Sequence, residues 1–216
     1  MRRRSHGAGR GAARLLPPPD RQLQAHPPLM PSRDEALALL HEWNDSVSLR
    51  KHGVLVEAGV QGYAAADGLD AVTVERWGIA GLLHDLDYER HPDPATHGAI
   101  GADELARRGY DAEVVDAVRR HNDALGIPRT TRLDHLVYAC DELAGFLVAV
   151  TLMRPSKRLA DVEPAHVRKR MKDKAFARAV PREMLHAGAD ELGIDFDEHV
   201  ARMVRYLVTV APEVGL

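Results

Sequence analysis

From Ser32 onward every apolar stretch of the chain repeats at intervals of three or four residues and none alternates, a pattern that specifies helices and no strand. Two of these stretches carry polar side chains where a core face demands apolar ones. Leu49, His52, Val56, Val60 and Tyr63 share one face of a helix over about 47–66. A second run, from about Val72 through Trp77, Ala80 and Leu83, closes on the pair His84-Asp85. Burying such groups without partners costs several kcal/mol, so something must sit against them. A divalent metal is the economical candidate, because neutral imidazole and carboxylate are ligands that iron, manganese, zinc and magnesium accept.

The order of elements brings further histidines to the same level. Ser32-Arg33-Asp34-Glu35 is a capping box that opens a first helix running to about Trp43, and Asn44-Asp45-Ser46 caps the second. Gly68 to Asp70 turns the chain into the third helix, in which Gly78 and Gly81 permit close approach of a neighbouring backbone. Two helices joined by a short turn form an antiparallel hairpin, which returns His84-Asp85 to the level of His52. The construction then repeats. After a loop from Asp87 to Thr96, His97, Ile100, Gly101 and Leu105 share a face of a helix that stops at Gly109, and Asp111 caps the next, whose face is Val114, Val118 and His121. At about 1.5 Å per residue the chain climbs roughly 18 Å from His97 and descends roughly 15 Å to His121, so both end at one level. A longer helix, about 131–152, turns Leu133, Leu136, Val137, Cys140, Ala144, Leu147 and Val148 inward, with Asp141 at the edge of that stripe.

Composition bounds what surrounds this core. The 216 residues suit one ordinary domain with a sizeable core. The single cysteine, Cys140, excludes a disulfide framework and fits a reducing, cytoplasmic setting. No run of about 18 uninterrupted apolar residues points to a membrane span. Residues 1–31 hold six prolines and no apolar periodicity, and read as a disordered tail ahead of a domain over 32–216. Met30, just before the first cap, is a candidate natural start, and the Arg-rich, acid-poor tail also admits a transit peptide. Six of the arginines lie in residues 1–32 against Asp20 alone, a local charge of +5 that leaves −8 for the rest. An acidic body with 5% aromatics argues against nucleic acid as a partner. The exception is Arg154 to Arg182, with ten basic residues, where Arg154 and Lys157 are candidate phosphate contacts; a basic run is more often a solvated face. Pro164 and Pro181 each suit a first helical position, and a closing helix spans about 196–210. Oligomeric state is not legible.

Of twelve histidines, His6, His26, His41, His91, His135, His166, His186 and His199 read as unremarkable. His52, His97 and His121 would too, taken singly. Jointly, three inward histidines, a His-Asp pair and an inward aspartate arrive at levels that can meet.

In that order, His52, His84-Asp85, His97, His121 and Asp141 resemble the ligand series of the HD-domain superfamily of metal-dependent phosphohydrolases in its six-ligand binuclear form. Lys51-His52-Gly53-Val54-Leu55-Val56-Glu57, Gly81-Leu82-Leu83-His84-Asp85-Leu86-Asp87-Tyr88-Glu89 and Ala139-Cys140-Asp141-Glu142-Leu143-Ala144-Gly145-Phe146 are similar to segments of small bacterial-type HD hydrolases, over about residues 32–182. Leu86-Asp87 departs from the Ile-Gly of many relatives. The resemblance implies an all-α helical bundle and two divalent ions per chain (Fe, Mn, Zn or Mg). One would be held by His52, His84, Asp85 and Asp141, the other by His97 and His121 with Asp85 as a bridge. It implies Asp85 as the central catalytic residue and a small phosphorylated molecule, a nucleotide or a relative, as substrate. Two cations about 3.5–4 Å apart can hold a hydroxide nucleophile and neutralise charge on a phosphoryl group. Asp87, Glu89, His91 and Asp123 are candidates for the acid that protonates the leaving group. Two other readings stay open: a mixed-valent di-iron oxygenase of the same superfamily, and a non-catalytic signalling or interaction module, which the retained ligand series disfavours.

Overall fold

The computed structural model describes residues 30–173, 175–178 and 180–216; the tail expected over 1–31 lies almost wholly outside them. Among the described residues there is no strand. Helices α1 (Arg33–Trp43), α2 (Val47–Ala66), α3 (Ala71–Leu83), α4 (Ala99–Arg107), α5 (Ala112–Arg120) and α6 (Arg132–Leu152) follow in order, then α7 (Pro164–Met171), α8 (Arg182–Leu192), α9 (Phe196–Leu207) and α10 (Ala211–Val214). The boundaries follow local chemistry. Ser32 and Glu35 form the expected capping box, and Ser46, Asp70 and Asp111 each accept an amide at the start of α2, α3 and α5. Thr131 and Asp134 make a second capping box at α6.

Three expectations need correction. His97 stands in the turn ahead of α4 rather than on it, because Gly98, at φ 81°, takes the helix-start position. Pro181 is the cap of α8, not its first residue. The closing helix ends at Leu207, and the short α10 follows a turn.

Two long helices organise the rest. α2 packs on α3, α6 and α9, and α6 packs on α2, α5, α8 and α9. By length and composition α6 could cross a membrane, but 61% of its apolar window is buried inside this fold, where it serves as the core helix. The α2–α3 hairpin is held closely by reciprocal glycines. A Cβ on Gly53 would lie 2.6 Å from the Leu82 carbonyl oxygen, and one on Gly81 would lie 2.9 Å from that of Val56. Gly78, by contrast, faces the Gln61 side chain rather than backbone. That close approach brings the end of α3 beside the start of α2.

Polar pairs inside the bundle are matched. Glu57, buried on α2, takes a two-pronged hydrogen bond from Arg33 of α1 at 2.6 and 2.8 Å. His199, buried on α9, donates from Nε2 to the Ala139 carbonyl (3.0 Å), which leaves Nδ1 to accept from the Tyr63 hydroxyl (2.7 Å). One neutral imidazole thus ties α9 to α6 and α2, and burial holds its pKa down to about 4. An unfolded histidine titrates near 6.5. Between those values the unfolded chain binds a proton that the fold excludes, so stability falls as pH drops from about 6.5 to about 4, by about 1.4 kcal/mol per unit. We expect His199→Gln to be less stable than the natural chain at pH 7 but to lose less between pH 6.5 and 4; parallel slopes in urea melts across that range would contradict this.

Candidate metal centre

Each of the six side chains reaches the centre from a helix end or a helix face. His52 projects from the first turns of α2 and Asp141 from the middle of α6. His84 and Asp85 follow the last residue of α3, and His121 caps the C-terminal end of α5. The turn after α3 is fastened to the α1–α2 corner: the Asn44 side-chain amide donates to the Leu86 carbonyl (3.0 Å), the Ser46 amide donates to Glu89 (3.0 Å), and the Arg90 guanidinium lies over the Trp43 ring.

The donor atoms fall into two groups, each within 4.8 Å of one another: His52, His84 and Asp141, and Asp85, His97 and His121. Asp85 lies between the groups. Its Oδ1 is 3.0 Å from His97 Nε2 and 3.6 Å from His121 Nε2, while its Oδ2 is 3.5 Å from His84 Nε2 and 3.9 Å from His52 Nε2. Asp141 Oδ1 is 2.9 Å from His52 Nε2 and 3.3 Å from His84 Nε2.

Three of the imidazoles are oriented from behind. His84 Nδ1 donates to the Gly81 carbonyl (2.8 Å), His121 Nδ1 to the Val118 carbonyl (2.6 Å) and His97 Nδ1 to the Asp87 carboxylate (2.8 Å). Because those acceptors have no proton to give, each Nδ1 carries a hydrogen and each Nε2 is left facing inward, where it can take a proton or a metal. This arrangement suits metal ligation, in which the outer nitrogen is tied to a carbonyl or carboxylate. His84 Nε2 is fully buried with no hydrogen bond, and His97 and His121 turn their Nε2 atoms to within 3.1 Å of each other and towards Asp85. Such a cluster of nitrogens and carboxylates is satisfied by protons or by a cation bound among them. The donor set therefore fits one or more divalent ions.

Electrostatics say the same. Burial alone would lower the His84 pKa, but the charges of Asp85 and Asp141 outweigh it and raise it to about 10. His97 is likewise lowered by burial and raised more strongly by Asp85 and Asp87, to about 9. Burial disfavours ionised Asp85 and Asp141, yet the surrounding imidazoles, His84 foremost, hold both below the usual carboxylate range. The centre draws positive charge.

A cleft of about 450 Å³ opens onto these residues, bounded also by Tyr88, Asn122, Asp123, Glu142 and, from the far wall, Val180 and Met184. Asn122 donates to the carbonyls of Pro94 (2.8 Å) and His97 (2.9 Å), joining the segment after α5 to the one before α4. All six residues expected from the sequence meet at this centre, five of them lining the cleft and His84 fully buried. Arg154 and Lys157 lie beyond the end of α6, and neither lines the cleft.

The candidate acids separate. Asp87 is fully buried and accepts from the amides of Gly98 and Gly101 as well as from His97, so it orients a ligand. Glu89 accepts at the start of α2, and His91 is exposed outside the cleft. Asp123 reaches the cleft but is paired with Arg129 at 2.6 Å. Glu142 went unnoticed in the sequence. It lines the cleft, and burial, then the charges of Asp141 and Asp85, push its carboxyl up to about 8. The available signal was its place next to Asp141 on the rim of the α6 stripe.

The same stretch of chain matches a known family. Residues 51–145 match the family model of the HD domain. That span runs from Lys51 to Gly145, contains all six residues, and is narrower than the resemblance over about 32–182. Neither the curated proteins nor the solved structures gave a match. HD domains typically bind divalent metals, and their family is generally one of hydrolases.

Two outcomes follow for this centre. Metal must displace the protons on His84 and His97, so uptake should strengthen from pH 6 to 8 with net proton release, read by calorimetry in buffers of different ionisation enthalpy; pH-independent uptake would contradict this. Asp87→Asn should weaken metal retention by about 10- to 100-fold while leaving the helical circular dichroism unchanged, as loss of a supporting carboxylate does elsewhere.

Proposed function

We propose that the protein is a metal-dependent phosphohydrolase that cleaves a phosphate ester of a small molecule in this cleft. The observation that carries the reading is the position of Asp85, whose two oxygens face two different groups of donors. His52, His84 and Asp141 would hold one ion, His97 and His121 the other, with Asp85 shared between them. Two such cations supply neutralisation of phosphoryl charge and an acidified water.

The chain's own residues do the rest. Gly81, Val118 and Asp87 fix the imidazole orientations, so the donor set is organised before anything binds. Glu142 stands in the cleft beside Asp141 and is the candidate to give a proton to the departing oxygen. Tyr88, 43% exposed on the rim of the cleft, packs edge-on against His97 and helps hold that ring in place.

The test combines elemental analysis with a phosphoester and nucleotide panel. The natural chain should retain two ions after loading with Mn²⁺; Asp85→Ala should retain almost none and lose all measurable hydrolysis, whereas His97→Ala should keep about one. Retention of two ions by Asp85→Ala would refute the shared ligand. Glu142→Gln should keep both ions and lose about 10²–10⁴-fold in kcat, least for esters with good leaving groups. A loaded protein that cleaves no ester but consumes oxygen would support the di-iron oxygenase reading instead.

A further inference from the structure

A second cavity, of about 510 Å³, lies on the other side of His52 from the metal centre. Its walls are Leu49 and Leu55 of α2, Val148 and Leu152 of α6 and Val214 of α10, and Lys51 stands among them. His52 and Gly145 line both this cavity and the metal cleft, so the two are neighbours across those two residues. Val47 and Leu152, at 61% and 52% exposed, give the cavity an apolar lip in contact with solvent.

Gly145 is the point where the two spaces meet, and its lack of a side chain is not required by packing. It sits within α6, where glycine costs a helix about 1 kcal/mol relative to alanine. A Cβ built there would meet only His52 Cε1, at 4.0 Å, an ordinary contact. Gly53, Gly81 and Gly188 each have backbone atoms within 3.0 Å of that position. An alanine at 145 would therefore be tolerated and would strengthen the helix. What the glycine leaves is the room of a side chain beside His52, on the wall that the metal cleft and the apolar cavity share.

We propose that this cavity receives the organic part of the substrate, and that the substrate class is accordingly a phosphate ester of an apolar alcohol, alkyl or aryl, rather than a nucleotide. The assignment rests on the phosphohydrolase reading for the position of the phosphate. With the phosphoryl group at the metal centre, the ester's organic group passes His52 and Gly145 and is buried against Leu55, Val148 and Leu152. A cavity of this size, mostly apolar with one convergent cation, has the character of a small-molecule site. Lys51, beside His52 in sequence, adds positive charge to the wall of this cavity.

The experiment compares octylphosphonate with methylphosphonate, which share a headgroup and differ only in the apolar chain, by calorimetry on the Mn²⁺-loaded full-length protein. We expect octylphosphonate to bind at least tenfold more tightly. Leu152→Glu, a change at an exposed position that the fold tolerates, should reduce that ratio at least threefold and leave methylphosphonate binding unchanged; Val148→Trp, which fills the cavity, should do the same. A ratio below tenfold, or one that survives both substitutions, would overturn the proposal. So would conversion of a dimer to a monomer by Leu152→Glu without a change in the ratio, which would make the cavity a contact between copies. Hydrolysis of octyl and methyl phosphate is followed separately. Should neither ester be cleaved, the phosphohydrolase reading fails, while the binding ratio still decides the cavity.

Discussion

The structure depends on Asp85 being an anion in the middle of four imidazoles. Burial by itself disfavours that charge, and only positive charge on the surrounding rings or on an ion compensates for it. Every element near the centre is arranged around this requirement. α3 ends where it does so that His84 and Asp85 leave the helix together, and the Gly53–Gly81 approach draws that end against the start of α2. The α1–α2 corner then clamps the following turn through Asn44, Ser46 and Trp43. A costly buried charge is thereby kept where cations can meet it from two sides.

The fold and the ligand set were legible because both are written in one signal, the spacing of side chains on helix faces. Leu49, His52, Val56, Val60 and Tyr63 fix the inward face of α2, and the caps at Ser32, Ser46, Asp70 and Asp111 mark the helix starts. The placement of His97 was less legible. Its spacing with Ile100, Gly101 and Leu105 reads as one helical face, yet the positive φ of Gly98 breaks the helix just after it. Level was preserved all the same, because a turn residue adjoining a helix end stays near that end.

What sequence could not reveal was long-range polar partnership. Glu142 carries no periodic mark that separates it from a solvent-facing glutamate; its character comes from burial in the cleft beside Asp141 and Asp85, charges that other elements help to assemble. His199 is similar. It sat among the unremarkable histidines, yet it joins three helices because Tyr63 is 136 residues away in sequence and adjacent in space. The basic run after α6 holds another such partnership: Arg182 turns back on its own segment, donating to the carbonyls of Asp173, Phe176, Ala177 and Val180 and lying over the Phe146 ring. Arg154 and Lys157, the candidates for phosphate in that run, do not line the cleft.

Leu86-Asp87 divides packing from support of the centre. Leu86 is fully buried and supplies the carbonyl that Asn44 holds, so the apolar half of the pair keeps a packing role. A glycine at 87 would leave His97 Nδ1, Gly98 N–H and Gly101 N–H facing an empty space. The Asp87 carboxylate fills it, accepting from all three, and Gly101 leaves just enough room, since a Cβ there would come within 3.3 Å of the carboxylate carbon. These donors stabilise the ionised form against a burial penalty, and the result is a carboxylate below its usual range. Its charge raises the basicity of His97 from behind while Asp85 does so from the front. The imidazole with the strongest supporting anion thus belongs to the pair that has only Asp85 as a carboxylate neighbour, whereas His52 and His84 have both Asp85 and Asp141. Asp87 in this way brings the two halves of the centre closer to electrostatic balance.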